Sequence, residues 1–260
     1  MDRRIRLIVA VVLLGTLTSV VLAQRGFRRG GYYQPVPDEP LVGARKEWTF
    51  ARLAYDGAGG YSRWAVDYRG AEEHFSQAVE RLTRIDVYPD GHIVSPNTDE
   101  LFDYPWLYAV EVGSWTFNDS QAARMREYLL RGGFLMVDDF HGEDEWQIFI
   151  EGMRTIFPDR IVEDVPEDDA IYSLPYLIGK RIQVPGPGYM DSGLLYERSD
   201  GVIPHWRGIR DAEGRWMVMI SHDIDYGEGW EQADNPRYPQ PYTRQAYEVA
   251  VDYLIYGMTH

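Results

Sequence analysis

Two short segments of the sequence carry side chains that could do chemistry. Asp138-Asp139-Phe140-His141 and His222-Asp223-Ile224-Asp225 each follow a run of apolar residues. Their imidazoles and carboxylates could together bind a divalent metal ion, or act as acid and base on a polyol or glycan. The candidate catalytic residues are Asp138, His141, His222 and Asp223.

Each of these residues also has a structural interpretation. Asp138 occupies the last position of an apolar run, where its carboxylate could accept backbone N–H groups and cap the next helix. Asp139 should point the opposite way, because side chains alternate along a strand. His141 and His222 could be ordinary loop residues on an exposed rim. No His-x-x-x-His or His-Glu-x-x-His spacing specifies zinc, so the metal is left open.

Two predicted strands must position these segments. Residues 134–137 form an apolar run after Gly132-Gly133, which is typical of a buried parallel strand. Residues 216–220 form a second run of this kind. If the two strands are parallel, their polar ends emerge at one edge of the sheet, where open α/β sheets bind ligands.

The rest of the chain alternates strand and helix patterns. Residues 48–55, 85–88 and 106–112 have strand composition, and residues 71–82 and 243–258 have helical periodicity. This order predicts an α/β fold, a flavodoxin-like three-layer sandwich with a mostly parallel sheet. A turn at residues 211–215 predicts an antiparallel hairpin at one edge of that sheet.

Further residues could line the site. Trp64 could stack on a sugar ring and Asp67 lies beside it in the sequence, although core packing is the favoured alternative for both. Ser114 follows the third predicted strand, but it lacks the Gly-x-Ser-x-Gly pattern of a nucleophile elbow and is expected to be a loop hydroxyl. The candidate ligand-binding residues are Asp67, Trp64, Ser114, Asp139 and Asp225.

The amino-terminal residues 1–23 have the plan of a secretory signal peptide. Arginines at positions 3, 4 and 6 precede the apolar residues 7–14, and Val21-Leu22-Ala23 offers a cleavage site. An uncleaved membrane anchor is the alternative, although the apolar stretch is short for a span. Residues 24–46, rich in Gly, Arg, Tyr and Pro, predict a disordered linker, and residues 47–260 one domain. We expect a periplasmic or secreted protein that touches the membrane only if the signal segment remains.

Composition excludes several classes of function. The net charge of −15, with no basic patch in the folded region, argues against a nucleic-acid partner. The chain has no cysteine, which excludes disulfides, thiolate metal sites and a cysteine nucleophile.

Several sequence blocks carry a family resemblance. The blocks are residues 50–55, 64–68, 104–108 and 132–139, followed by Gly208-Ile209 with Gly214-Arg215. In that order they resemble the bacterial family of exported proteins known as domain of unknown function 4159 (DUF4159). The match covers about residues 47–257, and residues 132–139 are its most specific part. The resemblance implies a fold like that of the class I glutamine amidotransferases and no particular activity.

Two functional classes follow. Enzymes with that fold hydrolyse amides through a cysteine at a strand-to-helix turn, which this chain lacks. We therefore predict an exported cell-envelope module that binds a ligand or protein on an amidotransferase-like scaffold. The alternative is a metal- or carboxylate-dependent hydrolase of a glycan or other polar envelope substrate, with a divalent metal as the implied cofactor. The hydrolase hypothesis fails if Asp138 and His222 lie at opposite ends of the sheet.

Overall fold

The structure, a computed structural model, describes residues 46–260. The predicted signal segment, residues 1–23, and all but the last residue of the predicted linker lie outside the described residues. Between residues 46 and 260, no helix is both long enough and apolar enough to cross a membrane.

Within residues 46–260, nine strands form one large sheet and one small one. In chain order they are β1 (Ala51–Leu53), β2 (Asp56–Gly57), β3 (His92–Val94), β4 (Trp106–Val110), β5 (Trp115–Thr116), β6 (Phe134–Asp138), β7 (Glu163–Asp164), β8 (His205–Arg210) and β9 (Trp216–His222). The large sheet has the order β3-β1-β4-β6-β9-β8-β7, and β2 pairs with β5 separately. Strands β3, β1, β4, β6 and β9 are parallel, whereas β8 is antiparallel to β9 and β7. The predicted α/β class and mostly parallel sheet are confirmed. The predicted hairpin is present as the antiparallel pair β8 and β9, but the edge strand on that side is β7.

Helices cover both faces of the large sheet. They are α1 (Gly70–Leu82), α2 (Asp119–Leu130), α3 (Gly142–Ile156), α4 (Tyr189–Ser192), α5 (Tyr226–Glu231) and α6 (Gln240–Thr259). Alternate side chains of β6 enter different cores: Phe134 and Met136 join residues of α1, α5 and α6, while Leu135 and Val137 join residues of α2 and α3. We refer to these as the α1/α6 face and the α2/α3 face.

The local sequence explains where α2 begins and ends and how the chain passes from it into β6. Asn118 caps the helix through a reciprocal pair of hydrogen bonds with Gln121, so two otherwise unpaired N–H groups are satisfied. Gly132 then takes φ +106°, a conformation that glycine adopts without strain. A Cβ atom on Gly133 would lie 2.4 Å from the Tyr128 ring, so this second glycine allows helix and strand to approach closely.

One predicted strand was wrong. Residues 85–88 contribute a single isolated bridge, between Val87 and Trp48, and the strand that pairs with β1 is His92–Val94. Ile93 and Val94 are buried in the α2/α3-face core, whereas Asp86 is exposed. The segment that buries more apolar surface therefore takes the position beside β1.

The strand order reverses between β1 and β4. The chain passes from β1 to β3 on one side and then returns to β4 on the other. In open α/β sheets, the carboxyl ends of the strands at such a reversal border a ligand crevice. Strand β6 pairs with β9 in parallel, Val137 opposite Ile220, which places both polar segments at this same end.

Candidate functional site

Acidic side chains and one imidazole gather after the carboxyl ends of β1, β4, β6 and β9, a region that we call the carboxyl rim. Asp138, Asp139, His141, Asp225 and Glu228 are each at most 5% exposed. Ionised carboxylates are expensive to bury unless they are paired or bind a cation. The carboxyl rim is therefore an electrostatically unusual part of this fold.

The backbone of the carboxyl rim is strained as well. Among residues 46–260, the non-glycine residues with positive φ are Asp67, Arg69, Glu111, Asp139 and Asp223. Glu111, Asp139 and Asp223 directly follow the parallel strands β4, β6 and β9, and Asp67 and Arg69 lie between β2 and α1. A left-handed conformation costs an L-residue about 1–2 kcal/mol. Residues held in such conformations cluster at functional sites.

Asp138 has a structural contact and an unused oxygen. Its Oδ2 accepts hydrogen bonds from Tyr108 Oη and from the Gly227 N–H, each at 2.9 Å, so it holds the start of α5. Its Oδ1 is buried and has no hydrogen-bond partner among the described residues. Burial first, and then the charge of Asp139, raise the pKa of Asp138 to about 7.

His141 lies between two carboxylates. Its Nε2 is 3.1 Å from Asp139 Oδ1 and 3.9 Å from Glu197 Oε1. Burial lowers the pKa of the imidazole, but the hydrogen bond and charge of Asp139, followed by Glu197, outweigh burial and raise it to about 9. His141 is thus a counter-ion to both acids when no metal is bound.

In the part of the chain that the structure describes, three overlapping groups of side chains could each hold a metal ion. Within each group, one potential ligand atom per residue lies within 4.8 Å of the others. The groups are Asp139, His141 and Glu197; Asp67, Asp139 and Asp225; and Asp67, Glu228 and Glu231. Ligands around an octahedral ion are separated by about 3.0–4.2 Å at metal–oxygen distances near 2.1 Å, so an inward movement of well under 1 Å would let each group hold one ion.

Electrostatic repulsion inside these groups is not relieved by the protein alone. Burial, then Asp139, then Glu231 raise the pKa of Asp67 well above its usual range. Burial, then Asp139 and Asp67, do the same to the pKa of Asp225. A cation placed among these oxygens would reverse this penalty.

A glycine lets an irregular segment reach the carboxyl rim. A Cβ atom on Gly186 would lie 1.8 Å from Glu197 Oε1 and 3.0 Å from Asp225 Oδ2. Asp225 also accepts the Glu228 N–H through Oδ1 at 2.7 Å, which caps α5. Gly186 therefore makes the space in which the Glu197 and Asp225 carboxylates approach each other.

His222 does not join the acidic groups. Its ring lies against the rings of Phe140 and Trp146, with centroids 4.8 and 4.9 Å away, on the α2/α3 face. Burial lowers its pKa to about 3 despite a contact between Nε2 and the Gly142 carbonyl. It is 5% exposed, so the predicted placement on an exposed rim was wrong. The imidazole is buried because it packs against these aromatic rings.

We expect His222→Ala to lower the free energy of unfolding by about 1–3 kcal/mol, because it leaves a cavity between two rings and removes a buried hydrogen bond. Denaturant unfolding monitored by circular dichroism measures this loss. His222→Phe keeps the ring and should lose less. An unchanged free energy of unfolding in His222→Ala would contradict the packing role.

Asp223 also has a structural contact. Its Oδ1 accepts the Gly142 N–H at 2.8 Å, at the beginning of α3. Asp138 and His222 thus lie at the same end of the sheet, but Asp138 belongs to the α1/α6 face and His222 to the α2/α3 face. Of the four candidate catalytic residues, His222 and Asp223 are in contact, with His222 Nδ1 3.3 Å from Asp223 Oδ2, whereas Asp138 lies on the other face of the sheet.

The two remaining candidates from the sequence, Trp64 and Ser114, lie outside the acidic groups. Trp64 is 5% exposed in the α2/α3-face core, where an indole cannot serve as an exposed stacking platform. Ser114 Oγ donates to the Glu111 carbonyl at 3.0 Å and lies 3.2 Å from Tyr55 Oη. This is the loop hydroxyl that the sequence favoured.

Sequence reasoning missed four acids of the carboxyl rim: Glu111, Glu197, Glu228 and Glu231. Glu111 directly follows β4 and pairs with Arg63, so the strand-end argument used for Asp138 would have found it. Glu228 lies three residues after Asp225, so the helical spacing of α5 places the two residues one turn apart on the same side of the helix. Glu197 lies outside any regular element, and no sequence signal marks it.

The family comparison agrees with the resemblance seen in the sequence. The family model described as "Domain of unknown function (DUF4159)" matches residues 49–258. No curated protein matches the chain. Because the family match spans all the strands and helices of the domain, the chain belongs to the DUF4159 family.

Proposed function

We propose that this domain is an exported cell-envelope module that binds a divalent cation at its carboxyl rim and, through the cation, a polar ligand. The observation that carries the proposal is the convergence of Asp67, Asp139 and Asp225, with their oxygens within 4.8 Å of one another. Oxygen-rich donor sets favour Mg²⁺, Ca²⁺ or Mn²⁺, and an imidazole nearby also suits Zn²⁺.

Unused polar atoms at the carboxyl rim support this proposal. Asp138 Oδ1, His141 Nδ1 and Glu228 Oε1 are buried without a hydrogen-bond partner among the described residues. Buried polar atoms are nearly always satisfied in folded proteins, so an orphan points to a missing ion or water. Three orphans in one region are consistent with a site built for a cation and its bound waters.

We also propose that the scaffold is of the flavodoxin-like, class I glutamine amidotransferase-like kind without its nucleophile. The parallel sheet covered on both faces and the strand reversal beside β1 support this assignment. The partner would be an envelope protein, a polar small molecule or a glycan. Location in the periplasm or outside the cell is part of the same proposal.

Metal-dependent hydrolysis of a polar envelope substrate is the second candidate function. It is favoured by the mixed donor set Asp139, His141 and Glu197, because carboxylate and imidazole ligands are typical of metals that activate water. Hydrolysis of a glycan or ester that requires a metal and stops with EDTA would favour this candidate over simple binding.

Thermal unfolding with and without cations tests the binding proposal. After treatment with EDTA, a cation at about 100 times its Kd should add about 2.7 kcal/mol of stability. For a domain of this size, this corresponds to a rise in Tm of about 5–10 °C. Mg²⁺, Ca²⁺, Mn²⁺ and Zn²⁺ should be compared by scanning calorimetry.

Matched variants make this experiment specific. Asp67→Asn should fold and lose most of the rise in Tm, because it removes one oxygen charge from two of the three groups. Asp90→Asn, at an exposed turn, should retain the full rise. If no cation changes the Tm of the unmodified protein, the proposed function is wrong.

A further inference from the structure

Asp139 occupies a special position among the acidic residues. It belongs both to the group with His141 and Glu197 and to the group with Asp67 and Asp225. Its neighbours in the first group come from the loop after β6 and from the irregular segment that contains Glu197. Its neighbours in the second come from the loop after β1 and from the segment after β9. Two potential ion positions therefore adjoin one carboxylate.

We infer that the carboxyl rim binds a pair of divalent cations and that Asp139 bridges them. One ion would take Asp139, His141 and Glu197, and the other would take Asp67, Asp139 and Asp225. This inference rests on the proposed function and specifies the number and arrangement of its ions. The oxygens of a bridging carboxylate hold two ions about 3.5–4 Å apart, as in two-metal sites generally.

The charge of the carboxyl rim calls for more than one cation. The acids gathered there are Asp67, Glu111, Asp138, Asp139, Glu197, Asp225, Glu228 and Glu231. Within the described residues, ion pairs with this set come from Arg63, on Glu111, and from His141, on Asp139 and Glu197. Five of these acids are buried: Glu111, Asp138, Asp139, Asp225 and Glu228. A single divalent ion would leave the buried carboxylates beside the other ion position without a nearby cation, which is costly in a medium of low dielectric constant. A second ion removes much of that cost.

An unpartnered side-chain atom beside the proposed pair supports the same arrangement. Asp138 is fully buried and its Oδ1 has no hydrogen-bond partner among residues 46–260. A Cβ atom on Gly227 would lie 3.8 Å from Asp138 Oδ2 and 3.5 Å from Asp225 Oδ1, so the two carboxylates flank the same glycine. Asp138 also directly precedes the bridging residue. A second unpartnered atom lies in the acidic groups themselves: Glu228 is 1% exposed, its Oε1 has no hydrogen-bond partner among the described residues, and it groups with Asp67, a ligand of the second position. A water bound to an ion there would satisfy such an oxygen.

The two positions should differ in metal preference. The position with His141 combines imidazole and carboxylate and suits Mn²⁺, Fe²⁺ or Zn²⁺. The position with Asp67 and Asp225 offers oxygen alone and suits Mg²⁺, Ca²⁺ or Mn²⁺. Mn²⁺ is acceptable to both, which makes it the probe for counting ions. Bridged Mn²⁺ pairs also couple magnetically, so electron paramagnetic resonance detects the bridge itself.

Titration of the EDTA-treated full chain with Mn²⁺ tests the inference. Calorimetry should count two ions per chain, and the resonance spectrum should show a coupled pair. Glu197→Gln and Asp225→Asn should each reduce the count to one and abolish the coupling. Asp139→Asn should weaken both sites by at least about tenfold, as loss of a ligand typically does. Glu213→Gln, in the exposed turn between β8 and β9, is the matched control and should bind two.

The outcomes separate this inference from the proposed function. One ion per chain would overturn the pair and leave the cation-binding proposal standing. Two uncoupled ions, or loss of only one in Asp139→Asn, would overturn the bridge. No bound ion would overturn both. Near-ultraviolet circular dichroism of each variant shows whether it is folded, and the exposed Glu197 site gives a variant with little risk to the core.

Discussion

Replacement of Arg52 by methionine should lower the free energy of unfolding by about 3–5 kcal/mol, because it breaks a fully buried ion pair and leaves its partner charged. Arg52 lies on β1 and is 0% exposed, as is its partner Glu72 on α1. The guanidinium also donates through Nη1 to the carbonyls of Trp64 and Val66, at 3.1 and 2.7 Å. Methionine fills similar apolar volume but satisfies none of these acceptors.

The aromatic surroundings of Arg52 add to the expected loss. Its guanidinium carbon lies 5.2 Å from the Tyr108 ring centre and 5.8 Å from that of Tyr68. A desolvated cation over an aromatic face contributes up to about 2 kcal/mol. The hydrogen bonds and ion pair of Arg52 also connect β1 with α1 and with the loop that carries Asp67.

A double-mutant cycle isolates this ion pair. Unfolding of Arg52→Met, Glu72→Leu and the double variant should be measured in EDTA, so that metal binding does not contribute. The double variant should be more stable than Arg52→Met, because it contains no unpaired buried carboxylate. A loss below about 1 kcal/mol in Arg52→Met would show that Glu72 finds another partner, contrary to the structure.

The position of the carboxyl rim could be predicted because it depends on short-range patterns. A short apolar run that follows a Gly-Gly break, such as residues 134–137, is typical of a buried strand, and acids that follow such a run are expected at the strand end. The parallel pairing of β6 and β9 then brings Asp139 and Asp225 to one edge. The strand order then defines the edge at which the site lies, because the carboxyl ends of parallel strands all lie at the same edge of the sheet.

The residues that line the site could be predicted only in part. His222 lies on the α2/α3 face because it continues the alternation of Val218 and Ile220 along β9. Its burial there depends on Phe140 and Trp146, which are distant in sequence. Glu197 reaches the carboxyl rim through a segment without periodicity, where Gly186 removes the side chain that would block it. The aromatic neighbours of His222 and the position of Glu197 leave no mark in the local sequence.

Asp225→Asn should make the metal-free protein more stable at pH 8 and less responsive to cations. Asp225 is 1% exposed, and burial, then the charges of Asp139 and Asp67, raise its pKa well above the usual range. A raised pKa in the folded state means that its contribution to stability is complete below the unfolded pKa of about 3.9 and is lost as the pH rises through the folded pKa. Asparagine imitates the protonated form and keeps an oxygen for the Glu228 N–H.

In EDTA at pH 8, the variant should therefore exceed the unmodified protein by about 1–3 kcal/mol, the cost of an uncompensated buried group. This difference should shrink as the pH falls through about 4, because Asp225 is then increasingly protonated in the unfolded chain as well. Saturating Mn²⁺ should reverse the order, because only the unmodified protein retains all the oxygens of the second position. A carboxylate kept for structure alone would destabilise the fold on replacement under every condition. The reversal would thus show that the fold gives up stability at Asp225 to hold a cation.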